Sequence, residues 1–199
     1  QLRDHTVALC RIVLACRSAD LCCILRDTCM RFSLSGEPPV LQHAKVRFYR
    51  PKERHTLPVG QRGFTPWIHV PVISDSKVCL ATHLHRYVSA TAELSREDNA
   101  LFVSLRASVQ HGRQFYALSA ERLAKLMKRL MAAAGVPSDF LPHSARHAGI
   151  AFRRSGAGDL AVNMGYQTDQ WDDQRLMQHA RMSCRTYVTH YLRQLRAHA

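Results

Sequence analysis

His143-Ser144-Ala145-Arg146-His147 sets an imidazole and a guanidinium three positions apart, and the small-residue run Ala148-Gly149-Ile150-Ala151 follows it toward a close at Ser155-Gly156. Read as a helix from His143 to Arg154, this spacing puts His143 and Arg146 on one face about a turn apart, where both can grip one phosphate oxygen. A solitary HxxR pair is more often a solvated helix face than a site. Its meaning therefore depends on what the rest of the chain supplies.

Three other segments supply matching parts. From Asp4 to about Leu25 the apolar residues Val7, Leu9, Val13, Leu14, Leu21 and Ile24 recur at helical spacing. The spacing breaks near Arg17-Ser18, which predicts two helices meeting at a tight junction. Arg17 sits there among apolar neighbours and needs a partner, and Asp20 is within reach to orient it. Further on, Val46 to Tyr49 alternates with strand period, Arg50-Pro51-Lys52-Glu53 reads as a turn, and His55 to Val59 returns as a second strand. Lys52 occupies the tip, a flexible ammonium able to swing into a neighbouring site and lend a proton. Near the end, His179 precedes Tyr187 by eight residues, with Tyr191 just beyond and several basic side chains around both phenols.

The remaining segments complete the expected architecture. Trp67 to Val72 predicts an edge strand, because Pro71 cannot donate to a ladder on both sides. Helical pattern covers Val78 to about Leu94, then a stripe of Leu123, Met127, Leu130 and Ala134 that opens at the N-cap Ser119 and stops at Gly135, with Pro137 beyond. A short helix is expected over Asp159 to Met164, a polar loop over Gly165 to Asp173, and helices near Gln174 to Arg181 and Ser183 to Leu195. The fold class is α+β and mainly helical, with one small antiparallel sheet near the start, and residues 1–199 form one domain.

Composition limits the function classes. Lys and Arg number 28 against 15 Asp and Glu, for a formal charge of +13, which points to a polyanionic partner and to nucleic acid first. The seven cysteines form no CxxC pair and fall mostly among apolar neighbours, so reduced thiols in an intracellular setting are expected. Arg11, Arg17 and Arg26 interrupt the longest apolar stretches, leaving no candidate membrane span. No DxD cluster, phosphate-cradling glycine loop or zinc spacing occurs among the twelve histidines, so neither cofactor nor metal is expected.

Taken in order, these residues resemble the tyrosine recombinase (phage integrase) family over nearly the whole chain. Cys16-Arg17-Ser18-Ala19-Asp20-Leu21 looks like its first arginine motif, with Asp for the commoner Glu. Lys52 matches the hairpin lysine, although the usual glycine-rich turn is absent and Lys45 and Arg50 lie nearby; His143-Ser-Ala-Arg146-His147 matches the H-x-x-R-H motif. His179 resembles the late histidine and Tyr187 the nucleophile, one residue closer together than usual, which leaves Tyr191 as a rival.

The resemblance implies a catalytic domain that cuts and rejoins double-stranded DNA through a 3′-phosphotyrosine bond. Arg17 and Arg146 would neutralise the phosphate, Lys52 protonate the leaving 5′ oxygen, His143 take the phenol proton and His179 hold a phosphate oxygen. Bond energy is conserved in such a reaction, so no ATP is required, and the arginines take the place of metal ions. The resemblance also implies a tetramer on DNA and a monomer when free. A mobile-element integrase is expected, in the nucleus of a eukaryote or the cytoplasm of a prokaryote. The family's N-terminal core-binding domain is expected to lie outside this chain. Two alternatives stand beside this reading: a DNA-binding remnant that has lost catalysis, and a type IB topoisomerase-like enzyme that relaxes DNA.

Overall fold

The computed structural model describes residues 1–51, 58, 63–94, 99–108 and 112–138. Elements run α1 (Leu2–Val13), α2 (Ser18–Leu21), β1 (Met30–Ser35), β2 (Val40–Val46), β3 (Ile68–Pro71), α3 (Leu80–Ala90), β4 (Val103–Ser108), β5 (Gly112–Ala117) and α4 (Ala120–Ala133). The architecture is mixed α+β. The helices expected from residue 143 onward, the loop 165–173 and the strand 55–59 apart from residue 58 lie outside the described residues.

The two expected N-terminal helices are present and meet between Leu14 and Arg17, although α2 is a single turn. Val7, Cys10, Val13 and Leu14 of α1 enter the core together with Leu21, Ile24, Phe48, Leu84, Leu101 and Leu123. Burying side chains of this size contributes about 1.5–3 kcal/mol each, so this cluster is the main source of stability. α1 packs on α3 and α4, and α2 on α4.

The sheet has the order β1-β2-β3, all antiparallel, with β3 at the edge as Pro71 requires. Its strands begin earlier than the sequence suggests. Met30 pairs with Val46 and Phe32 with Ala44, so the strand runs from Val40 and ends at Val46, where the alternation read from the sequence begins. Beyond β2, Tyr49 still bridges Phe64, and the Arg50 amide donates to the Gly63 carbonyl at 3.0 Å. Alternation makes the sheet two-faced: Met30, Ala44, Val46, Phe48 and Val70 are buried, and α3 lies against β2 and β3.

A second sheet, β4 paired with β5, corrects the expectation of a single one. In the sequence Leu101-Phe102-Val103 is only a short apolar stretch; Val103 pairs with Ala117 and Leu105 with Phe115, and only this tertiary pairing shows the strand.

Helix ends are satisfied in ways the sequence partly announces. Ser119 Oγ accepts the Arg122 amide at 3.3 Å, capping α4 as expected. At the other end the Val136 amide donates to Met131 O and the Gly135 amide to Ala132 O, with Gly135 at φ +73. This is a Schellman arrangement, and the left-handed residue in it is glycine. The stripe itself is Leu123, Leu126 and Met127, with Leu130 half-buried and Ala134 exposed. The end of α3 is held from a distance, since Arg26 donates from Nη1 to Thr91 O at 3.1 Å and from Nη2 to Val88 O at 3.2 Å.

A Cβ at Gly135 would meet nothing within 4 Å, so the cost of Gly135→Ala is conformational alone. We expect a loss of about 1 kcal/mol, read as a lower urea midpoint with unchanged slope.

Candidate active-site corner

α1 stops because the chain reverses at Ala15, whose φ of +46 lies in the left-handed region that alanine seldom adopts. From there Cys16 leads into Arg17, which is extended at φ −79, ψ 162 and caps α2. The Arg17 amide donates to Asp20 Oδ2 at 2.6 Å, one half of a capping box with Asp where Glu is commoner. Asp20 is buried and Arg17 half-buried. Asp20 thus engages Arg17 at its main-chain amide, whereas the sequence reading expects it to orient the side chain.

A residue that sequence reasoning passed over holds this corner from inside. Arg11 is 2% exposed and ranks among the largest fully buried side chains. Its Nη1 donates to the Cys16 carbonyl at 2.7 Å, across the reversal. Burial lowers the pKa of Arg11, the nearby Cys16 and Asp20 oppose that, and the positive charge of Arg17 adds to it. Two cations and a carboxylate therefore share one corner. The signal was available: Val7, Arg11 and Leu14 are spaced i, i+4, i+7, which places Arg11 on the inward stripe of α1.

Lys52, His143, Arg146, His179 and Tyr187, with the rival Tyr191, lie outside the described residues. Of the six candidate catalytic residues the structure places Arg17. It also places the paired base, Tyr49-Arg50 against Gly63-Phe64, from which the segment carrying Lys52 departs.

The cysteines behave as small hydrophobes. Among the described residues Cys10, Cys16, Cys29 and Cys79 are buried, Cys22 and Cys23 half-buried, and these six are free thiols. Burial pushes the Cys10 thiol well up, and neighbouring Cys16 adds to the shift. Among the described residues no helix is long and apolar enough to cross a membrane, and no group of three or more His, Cys, Asp or Glu is placed to hold a metal ion.

Two histidine pairs carry the remaining electrostatic signal. The rings of His5 and His83 lie against each other at a tilt with centroids 4.3 Å apart, and those of His43 and His69 likewise at 4.4 Å. Burial and then His83 lower the pKa of His5; burial, His43 and Lys45 lower that of His69.

No family model matches the sequence, and no curated protein matches it. By structure the chain is similar to the XerH site-specific recombinase bound to difH substrate in a pre-cleavage complex, with a TM-score of 0.52 and 14% identity over 98% of this chain. It is similar to XerH bound to palindromic difH substrate in a post-cleavage complex, at TM-score 0.51, 14% identity and 98% coverage. The XerA recombinase matches at TM-score 0.49 and 12% identity over 100% of this chain and 56% of its own. The likeness to XerH is one of fold: the chain has a tyrosine recombinase-like fold and spans 45% of the XerH chain.

Two outcomes follow from the electrostatics. Arg11→Met keeps the bulk but removes the donor to Cys16 O and a charge facing Asp20, and should cost about 3 kcal/mol in urea unfolding; an unchanged midpoint would show that the corner does not need the cation. Because the folded chain disfavours protons on His5 and His69, the unfolded chain takes them first as pH falls through about 6.5. Thermal stability should therefore fall from pH 7.5 to 5.5, and less so in a His5→Gln/His69→Gln variant.

Proposed function

We propose that this chain is the catalytic part of a site-specific DNA recombinase that breaks and rejoins strands through a 3′-phosphotyrosine. What supports the reading most is that Arg17 stands at a hydrogen-bonded corner of a tyrosine recombinase-like fold, while the rest of the sequence supplies Lys52, His143, Arg146, His179 and Tyr187 in the family's order.

The chemistry proposed for these residues is a transesterification. The Tyr187 phenol, with a pKa of about 10 in solution, is a poor nucleophile until a base takes its proton, and His143 is assigned that task. The phenolate oxygen bonds to phosphorus as the bond to the 5′ oxygen breaks, and Lys52 gives that oxygen a proton. Arg17 and Arg146 bind the non-bridging oxygens, where the planar guanidinium fork matches phosphate geometry, and His179 adds a hydrogen bond. A 5′ hydroxyl from another DNA end then reverses the attack. One ester replaces another at each step, so the proposal includes neither ATP nor metal. Four protomers on paired duplexes, an origin in a mobile element and a location wherever its DNA is kept belong to the same proposal.

The test is covalent capture. Purified protein is incubated with a pool of nicked duplexes of random sequence, and adducts are scored on denaturing gels. We expect an adduct that persists in EDTA, disappears in Tyr187→Phe and survives in Tyr191→Phe; the reverse pattern would move the nucleophile to Tyr191. Arg17→Ala should slow adduct formation by about 10²–10³-fold, the usual cost of losing a donor to transition-state charge. Absence of any adduct despite DNA binding would favour a remnant that binds without cutting.

A further inference from the structure

The face of the β1-β2-β3 sheet turned away from the core is basic and aromatic. Arg31 of β1 is the register partner of Lys45 of β2, and Lys45 is the partner of His69 of β3, so three basic side chains lie in one row across the sheet. All three are exposed. Arg47 and Trp67 continue the face just past the end of β2 and just before β3. The Arg47 guanidinium lies 3.7 Å from the Phe64 ring centroid and 4.4 Å from that of Trp67, and the Arg31 guanidinium lies 4.8 Å from Trp67. Arg50 stands over Tyr49 at 5.2 Å, and Tyr49 packs on Phe64 at 5.1 Å.

Two features make this more than a solvated face. Like charges directly opposite on neighbouring strands destabilise a sheet, yet Arg31 faces Lys45. Among the described residues no carboxylate pairs with Arg31, Lys45 or Arg47. Arg47 is also held in place: its Nε donates to Thr28 O at 2.8 Å, and the Phe64 and Trp67 rings lie against its guanidinium. Cations without a carboxylate partner, one of them held in place beforehand, suit a ligand that carries several anionic groups, since less entropy is lost on binding.

We propose that this sheet face binds the phosphate backbone of double-stranded DNA, with Arg31, Lys45 and Arg47 as the contacts. The identity of the polyanion rests on the recombinase reading; the location and the residues rest on the sheet. Because the contacts are to phosphates, they contribute affinity without sequence preference.

The experiment is a fluorescence-anisotropy titration of a labelled duplex of arbitrary sequence at 50–200 mM salt, a range that resolves the electrostatic slope. Each phosphate contact contributes about 0.9 to the slope of log affinity against log salt, so Arg31→Gln/Arg47→Gln should flatten it by about 1.8 and, if the curves meet at 1 M salt, weaken binding about 60-fold at 0.1 M. Lys125→Gln/Lys128→Gln removes the same charge from exposed positions on α4 and should leave the slope nearly unchanged. If loss of the ring stacking unfolds the first variant, as circular dichroism would show, Arg31→Gln/Lys45→Gln at two exposed positions carries the same prediction. Equal flattening in both sets, or no flattening in the sheet variants, overturns the proposal. So does single-stranded RNA of equal length binding more tightly and being the ligand whose affinity the sheet variants lose. A wild-type chain that binds no duplex at all would instead overturn the recombinase reading, and one that binds duplex through this face without forming an adduct would leave the surface assigned and the chemistry refuted.

Discussion

A single guanidinium inside the apolar core fixes the geometry on which the rest of this molecule depends. Arg11 reaches from the last turn of α1 to the Cys16 carbonyl, beside the buried Asp20 that grips the amide of Arg17. Burying a cation costs several kcal/mol unless its hydrogen bonds and counter-charge are well placed, so such a group is poor evidence of stability and better evidence that a position matters. The position here is Arg17. Its backbone is held on one side by Asp20 and preceded on the other by Ala15 in the left-handed region.

That corner also joins the layers. α1 packs on α3 and α4, α2 packs on α4, and α3 covers the inner face of the sheet. The half-buried Arg17 therefore stands where α1, α2 and α4 meet. The sheet plays the complementary part. Its inner face supplies Ala44, Val46, Phe48 and Val70 to the core, and its outer face carries cations braced by aromatic rings. A formal charge of +13 is in this way partly organised into a surface.

Local signals were read correctly where the physics is local. The Ser119 cap and the Gly135 stop of α4, the break between α1 and α2, and the edge placement of β3 each follow from a residue that acts on its own backbone or a turn away. Where pairing is remote, local pattern falls short: the strand expectation begins only at Val46, leaving out β1 and most of β2, and the pair of β4 and β5 is not anticipated. Strand propensity is weak until a partner strand is in register, and the partner is chosen by burial that no short window contains.

For the site the division is sharper. The order of Arg17, Lys52, His143, Arg146, His179 and Tyr187 is a property of the sequence, and so are the surplus of positive charge and the choice of Asp at position 20. Only the tertiary structure decided that Arg11 is buried against the Cys16 carbonyl, that Asp20 holds Arg17 through its amide, and that Arg31, Lys45 and His69 share one row. Residue types set which bonds are possible. Which of them form depends on long-range packing and strand register, and these bring together side chains that the chain itself keeps apart.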